Sequence, residues 1–303
     1  MKYTKRLAAA VGLACEETRS LKYVAKQFCL HWAAVKEIDK KALEKRLPAV
    51  GKTEARFLAV VEFSIRKRHR YGTTSIDLEA KKVLYVGKDR TEQSLAAFYE
   101  QMGTERCNAI QAVAMDMWQA SKKATVTHCP NAKIIFDPFP IIQSYRPDVI
   151  DVVRRDECKK ALGEQREVIK GSRYLLLKNE ENLDKERNEK SELQRLLWLN
   201  RRLEKVYILK DDLKQLWRYK STAWAEKWFA AWYRRAIYSE IEPRKRFARM
   251  LKRHKAGILA HCKYPFHTSV LEGINNKIKV IKRIAHGFRD EEYFFLEIRE
   301  AFN

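Results

Sequence analysis

The sequence predicts an α/β protein: a mixed sheet with helices packed on it, a helical segment ahead of it, and a large all-α insertion. Three observations carry this. Between residues 55 and 137, short β-type runs and amphipathic stretches follow the order β-β-β-α-β-α-β. From about residue 138 to 262 the pattern is helical and strongly charged. The chain of 303 residues has only 10 Gly and 7 Pro but is 46% hydrophobic, which suits a folded, mostly helical protein with a proper core.

Residues 1–48 read as three helices. Within them, "SLKYVAKQFCLHWAAVKEIDKKALEKRL" has the spacing of a helix-turn-helix, with Ala25 at the helix crossing, Cys29 at the turn and Val35 buried in the second helix. The turn position favours Gly because φ is positive there, so Cys29 is a departure. On this reading Trp32–Arg46 is a recognition helix. His31, Trp32 and Lys36 face the groove, and Lys40, Lys41, Lys45 and Arg46 lie near phosphates. A small helical bundle with no DNA role has the same pattern.

"GKTEA" (51–55) reads as a linker. "ARFLAVVEF" (55–63), "YGTTSIDL" (71–78) and "KKVLYVG" (81–87) read as an antiparallel meander with tight turns. A helix follows in "RTEQSLAAFYEQMG", then an apolar strand over 108–116 ending on Asp116, the helix "MWQASKKATVTH" and a buried strand over 131–137. Five of the seven tryptophans fall in the helical block. Trp224, Trp228 and Trp232 recur at i, i+4, i+8, a stripe better suited to core packing than to base stacking. "PRKRFARMLKRHK" (243–255) is a basic helix, either lining a backbone channel or a solvated face.

In "LEGINNKIKVIKRIAHGFRD" (271–290), Glu272, Asn276, Lys279 and Arg283 share one helical face, and Ile274, Ile278, Ile281 and Ala285 the opposite one. Asn275 and Asn276 are poor residues for a helix interior, so helix propensity does not account for them. A lone carboxylate among cations suits a site where the acid holds a metal and its neighbours hold phosphate.

The charge narrows the partner. A formal net charge of +23 on a folded chain points to a polyanion, nucleic acid first. The six cysteines include no CxxC spacing, so a zinc ribbon or redox motif is not expected and free thiols are. No apolar run approaches a membrane span, and the short run Leu7–Ala14 soon enters a charged helical pattern, unlike a secretory leader.

Three antiparallel strands, a helix and a strand ending in an acid is the order of the ribonuclease-H fold. There, carboxylates from the first strand, the end of the fourth and a late helix converge on two divalent metals. Asp116 suits the second position and Glu272 the third; the helical block between them, 156 residues from acid to acid, is then an insertion. The expected domains are a helix-turn-helix at 1–50 and a catalytic domain at 51–303. The latter has a ribonuclease-H-like core at 55–160 and 263–303 and an insertion at about 161–262.

Several stretches together resemble bacterial insertion-sequence DDE transposases of the ISL3 family: "EFSIRKRHRYGTTSIDL", "MDMWQA", "PNAKIIFDPF", "GSRYLLLKNEENL", "LWRYKSTAWAEKWFAAWYRRAI" and "LEGINNKIKVIKRIAHGFRD". The resemblance spans nearly the whole chain. It implies DNA-mediated transposition, with strand cleavage and strand transfer at element ends by two-metal phosphoryl transfer. Asp116 and Glu272 are the implied catalytic acids and metal ligands, and Mg²⁺ (or Mn²⁺) the implied metal. The implied partners are double-stranded DNA, as terminal inverted repeats and target, and further copies of the chain on that DNA. The implied place is the bacterial cytoplasm, on the nucleoid. Trp32, Lys36, Lys40, Asn276, Lys279, Lys282 and Arg283 are the expected DNA contacts.

The departures set the second expectation. The cysteine-rich zinc ribbon usual in such proteins does not occur in this sequence. Where the family has its first catalytic Asp followed by Glu, this chain reads Val61-Glu62. Neighbouring strand residues point to opposite faces, so Glu62 replaces the lost acid only if a bulge re-aims it. Asp77 is the next acid, at the end of the second strand. Arg68 stands in place of a Gly and Pro140 in place of a His. A weakly held metal is therefore expected, and a catalytically silent DNA-binding derivative is the alternative. A basic RNA-binding protein would explain the charge but not the placing of Asp116 and Glu272.

Overall fold

The computed structural model describes residues 3–18, 20–66, 70–266, 268–285 and 288–303, so Arg68 lies outside the described residues. The chain divides into two compact units, one of residues 1–132 and 269–303 and the other of residues 133–268.

The first unit opens with α1 (Lys5–Thr18), α2 (Leu21–Gln27) and α3 (Trp32–Arg46). They close around Val11, Val24, Val35 and Ile38. The Ser20 hydroxyl caps α2, and the His31 ring caps α3 by accepting from the Ala33 N–H at 3.3 Å. Cys29, between α2 and α3, has φ of 50°, the left-handed conformation expected at that turn.

The meander follows as β1 (Phe57–Arg66), β2 (Arg70–Asp77) and β3 (Lys82–Lys88). After α4 (Glu92–Met102) and α5 (Thr104–Ala109), β4 (Ala112–Met115) runs parallel to β1, and α6 (Gln119–His128) leads to β5 (Lys133–Phe136). The sheet order is β3-β2-β1-β4-β5, with β1 central. Leu58, Ala59 and Val60 are buried in succession because that half of β1 is covered on both faces.

The strand expected over 108–116 is shorter than the sequence suggests. Residues 104–109 form α5 instead, with Gly103 at its start at φ 82° and Cys107 buried. A short apolar run does not distinguish strand from helix.

The two faces of β1 differ. Phe63 meets Phe294 edge-on, with ring centroids 6.1 Å apart, and lies over Gly72, where a Cβ would come within 2.5 Å of its ring. Phe294 belongs to α17 (Glu291–Ala301), which α16 (Thr268–Ile284) precedes; the intervening helices α7 to α15 belong to the second unit. Odd-numbered residues of β1 therefore face α17. Glu62 faces the other way, toward α6, where Ser121 binds it.

In the second unit, β5 is followed by α7 (Pro138–Tyr145), a π-helical turn, α8 (Val152–Lys160), α9 (Gly163–Gly171), α10 (Arg173–Leu177), α11 (Glu189–Leu199), α12 (Arg201–Gln215), α13 (Thr222–Ile237), α14 (Glu242–Arg253) and α15 (Lys255–Leu259). Gly257 lets α15 close on Phe136 of β5, since a Cβ there would lie 2.5 Å from the ring. Around α12, Tyr145 donates to the Val206 carbonyl at 3.0 Å and Trp232 to the Leu209 carbonyl at 3.4 Å. Lys210 is fully buried and donates to the Lys178 carbonyl at 2.9 Å; burial pushes its amine down to about 8.

The tryptophan stripe of α13 grades from core to surface. Trp232 is 0% exposed, Trp228 half-buried and Trp224 61% exposed. The basic helix α14 buries Arg244, Phe247 and Leu251 and turns Arg246, Arg249, Lys252 and Arg253 outward. Among the described residues, no helix is long and apolar enough to cross a membrane, and all six cysteines are free.

Candidate active site

Every residue of β4 is buried, and Asp116 is the first residue beyond it. Its Oδ1 accepts from the Trp118 N–H at 3.0 Å, a turn that takes the chain out of the sheet and into α6. The parallel pairing of β1 with β4 ends at Ala59↔Ala114, two residues before Val61 on β1 and two before Asp116 on the other chain segment. Val61 is half-buried and paired with Thr74 across β1 and β2.

Glu62 and Asp116 lie close enough to repel. Burial, then the Asp116 charge, pushes the Glu62 carboxyl from 4.5 up to about 7, opposed by Arg90 and by the Ser121 hydroxyl, which donates at 3.3 Å. Burial likewise raises the Asp116 carboxyl, against the Trp118 N–H and Arg90. β1 has no bulge at Glu62; its irregularity lies between Ser64 and Arg66. Glu62 therefore keeps the face of β1 opposite to that of Val61, as alternation implies, and meets the charge of Asp116 from there. Strand alternation ends with the strand, and Asp116 is already outside β4.

Arg90 compensates the pair. Its Nη1 is 4.0 Å from a Glu62 oxygen. Its guanidinium lies between two rings, 4.1 Å from the centroid of Tyr71 and 4.4 Å from that of Trp118, and the Trp118 indole N–H donates to the Arg90 carbonyl at 2.9 Å. No periodicity marks Arg90, Ser121 or Trp118 in the sequence. Asp77 does not join them: its Oδ1 accepts from the Glu79 and Ala80 N–H groups, and it stands opposite Leu58, four residues along β1 from Glu62.

Glu272 lies on the exposed face of α16 with Asn276, Lys279 and Arg283, while Leu271, Ile274 and Ile278 are buried. The polar and apolar faces are those expected for this helix, except that Ala285 is exposed. Glu272 is not among the groups that perturb Glu62 or Asp116. Lys279 bonds Asn276 within the helix at 3.3 Å, and Lys282 donates to the Ser64 carbonyl at 3.1 Å.

Trp32 is 53% exposed at the start of α3. Lys36 and Lys40, expected at DNA, are ion-paired within the protein. Lys36 meets Asp290 at 2.8 Å and Lys40 meets Glu292 at 2.6 Å. Asp290 caps α17, where acids are favoured by the helix dipole, and Glu291 in the same turn holds Lys88 at 3.3 Å and Arg70 at 3.6 Å. Beneath these pairs the Tyr293 hydroxyl donates to the buried Asp39 at 2.6 Å. The face of α3 bearing Lys36, Asp39 and Lys40 is thus docked on α17. Lys41 and Lys45 remain exposed, among Glu37 and Glu44.

Two carboxylates that repel each other are hard oxygen donors suited to one divalent cation of the Mg²⁺ type. Val61 supplies no third donor, and among the described residues no three Asp, Glu, His or Cys side chains are grouped to hold a metal. The donor set fits a single cation rather than a pair.

The raised carboxyl of Glu62 has a stability consequence. Its folded form holds the proton more tightly than the unfolded chain, so its contribution is complete below pH 4.5 and is lost as pH rises through about 7. Glu62→Gln should therefore match the native protein near pH 4 and exceed it at pH 8 by on the order of 2 kcal/mol. Denaturant melts at the two pH values test this; an equal difference at both would remove the electrostatic account.

Comparison with known proteins is consistent across the chain. The family model described as Transposase, of the ISL3 DDE type, matches residues 58–298. The transposase for insertion sequence element IS1001 of Bordetella parapertussis is 41% identical over 301 residues, covering 99% of this chain and 73% of the relative. The transposase for insertion sequence element IS1557 of Mycobacterium tuberculosis is 25% identical over 319 residues, covering 94% of this chain and 68% of the relative.

Proposed function

Because the chain belongs to the ISL3 family of DDE transposases, we propose that it binds double-stranded DNA at the ends of its insertion sequence. In that reading Asp116 and Glu272 are the surviving catalytic acids, target DNA is the second substrate, and further copies of the chain assemble on the DNA at the bacterial nucleoid. The observation that carries it is that Asp116 directly follows β4, a buried strand parallel to β1, the strand that carries Val61.

Members of this family generally use divalent metal ions. A bound Mg²⁺ or Mn²⁺ would neutralise charge on the reacting phosphoryl oxygens. Asp116 would hold the cation, with Glu62 the nearest second carboxylate, and Arg90 sets the local charge. With Val61 in the first acid position, the cation is weakly held and the native chain binds DNA without cutting it. Glu62 as a stand-in for the lost acid is the second reading, favoured by its electrostatic contact with Asp116.

DNA binding rests on charge and exposure. The outward residues Asn276, Lys279 and Arg283 run along α16 from Glu272. The segment from Leu21 to Arg46 acts as a helix-turn-helix, with Trp32 at the leading end of its second helix. Lys36 and Lys40 contribute to binding only by exchanging Asp290 and Glu292 for phosphate.

Binding to a duplex of the terminal repeat should weaken with salt at a log–log slope of about −0.9 per phosphate contacted. Lys279→Ala and Arg283→Ala should each shallow that slope by about one. An unchanged slope in the double variant would make this helix face merely solvated. The direct test of function is binding and cleavage of the terminal repeats with Mg²⁺ and with Mn²⁺, with structured RNA as competitor.

A further inference from the structure

We infer that Arg90 is an exchangeable counter-ion of the Glu62–Asp116 pair, so that its guanidinium and a divalent cation compete for the same carboxylates. The inference rests on the reading that this pair holds the cation, and adds what occupies the position when the cation does not.

The pair needs a positive charge. The Glu62 side chain is only 10% exposed, on the face of β1 toward Ser121, and Asp116 accepts from the backbone of Trp118, whose ring lies 4.4 Å from the Arg90 guanidinium. Arg90 links them: its Nη1 is 4.0 Å from Glu62, and it covers the ring of Trp118, the residue whose backbone N–H Asp116 holds at 3.0 Å. It is held, but loosely at its charged end. The 4.0 Å separation from Glu62 is too long for a hydrogen bond, whereas a tightly bound arginine forms two parallel bonds to a carboxylate at about 2.7–2.9 Å. The better-formed contacts lie elsewhere: the Tyr71 and Trp118 rings cover the guanidinium, and the Trp118 indole binds the Arg90 carbonyl.

A way out also exists. The Arg90 side chain is 37% exposed, against 10% for Glu62. The guanidinium can therefore turn to solvent without breaking the backbone contact that fixes its chain segment. Residue 89 before it is in the left-handed conformation at φ 64°, and Thr91 after it caps α4, so the backbone at Arg90 is anchored on both sides. Only the side chain has to move. A cation at the carboxylates would repel the guanidinium outward, where a DNA phosphate would receive it. Cation and DNA should then bind with positive coupling, equal in both directions.

The test is Mn²⁺ affinity of the full-length chain, read by electron paramagnetic resonance of free Mn²⁺ with MnCl₂ alone. Arg90→Gln should tighten Mn²⁺ binding by about tenfold or more, because the competing charge is gone. Arg90→Lys should fall between the two. Tyr71→Leu leaves Arg90 and both acids in place but removes one ring of the clamp, and should tighten binding several-fold. Adding Glu62→Gln to Arg90→Gln should abolish the gain. Equal Mn²⁺ affinity in the native chain, Arg90→Gln and Tyr71→Leu would overturn this inference and leave the proposed function standing. No Mn²⁺ binding by any of them up to millimolar concentration would overturn both.

Discussion

The native chain is expected to bind terminal-repeat DNA and leave it uncut, and Val61→Asp to regain Mn²⁺-dependent nicking. Electrostatic stabilisation of a developing oxyanion is typically worth several kcal/mol, so a missing carboxylate ligand should slow cleavage by a factor of about a thousand or more. Val61 is the position to restore because the family pattern has its first catalytic Asp there, and because it is half-buried, leaving an added carboxylate within reach of water. Mn²⁺ is the better probe because it takes the same carboxylate and water ligands as Mg²⁺ without the near-ideal octahedron that Mg²⁺ demands. Nicking of labelled terminal-repeat duplexes is the readout, with binding measured on the same duplexes. Efficient cutting by the native chain would mean that Glu62 already serves, which Glu62→Gln would then abolish. An inert Val61→Asp with intact DNA binding would place the damage in other departures, Pro140 among them.

Trp232→Ala is expected to destabilise the second unit by about 3–5 kcal/mol, the range for removing a fully buried aromatic side chain, while Trp224→Ala should change stability by less than about 0.5 kcal/mol. The two lie on one helical stripe two turns apart. Trp232 is enclosed and its indole N–H donates to the Leu209 carbonyl, a bond that truncation removes. Trp224 is mostly exposed, with Lys227 over its ring at 5.3 Å. Thermal or denaturant melts of the two variants decide between graded burial and a uniform core stripe; equal losses would refute the gradation.

Much of the architecture was legible because it is local. The three strands of the meander, α4, α6, β5 and the amphipathic faces of α16 follow from residue spacing, which depends only on the repeat of the backbone. Cys29 at positive φ was likewise readable from the turn it must occupy. β4 was overextended because the apolar run from Asn108 onward suits either structure, and only the packing of Cys107 selects a helix for its first part.

The site was legible in part. Asp116 follows from a buried strand ending on an acid, and Val61 from the family pattern. Strand alternation rightly set Glu62 on the face opposite to Val61, but it does not report the electrostatic contact of Glu62 with Asp116, which lies one residue beyond β4. Arg90, Ser121 and Trp118 were missed because their contacts join the β3–α4 connection to the β4–α6 segment, and no sequence period links those segments.

The sequence by itself determined the transposase family, the strong positive charge and the solvent face of α16 bearing Glu272, Asn276, Lys279 and Arg283. Only the tertiary structure decided which charges are already taken. Lys36 and Lys40 look free on the helical wheel of α3 but are bound by Asp290 and Glu292 at the start of α17. Glu62 and Asp116 look separate but share the field of Arg90. Periodicity reports which side of an element is polar. Which oppositely charged side faces it depends on how elements more than two hundred residues apart in the chain are packed, and Coulomb interactions act through that distance in space rather than along the sequence.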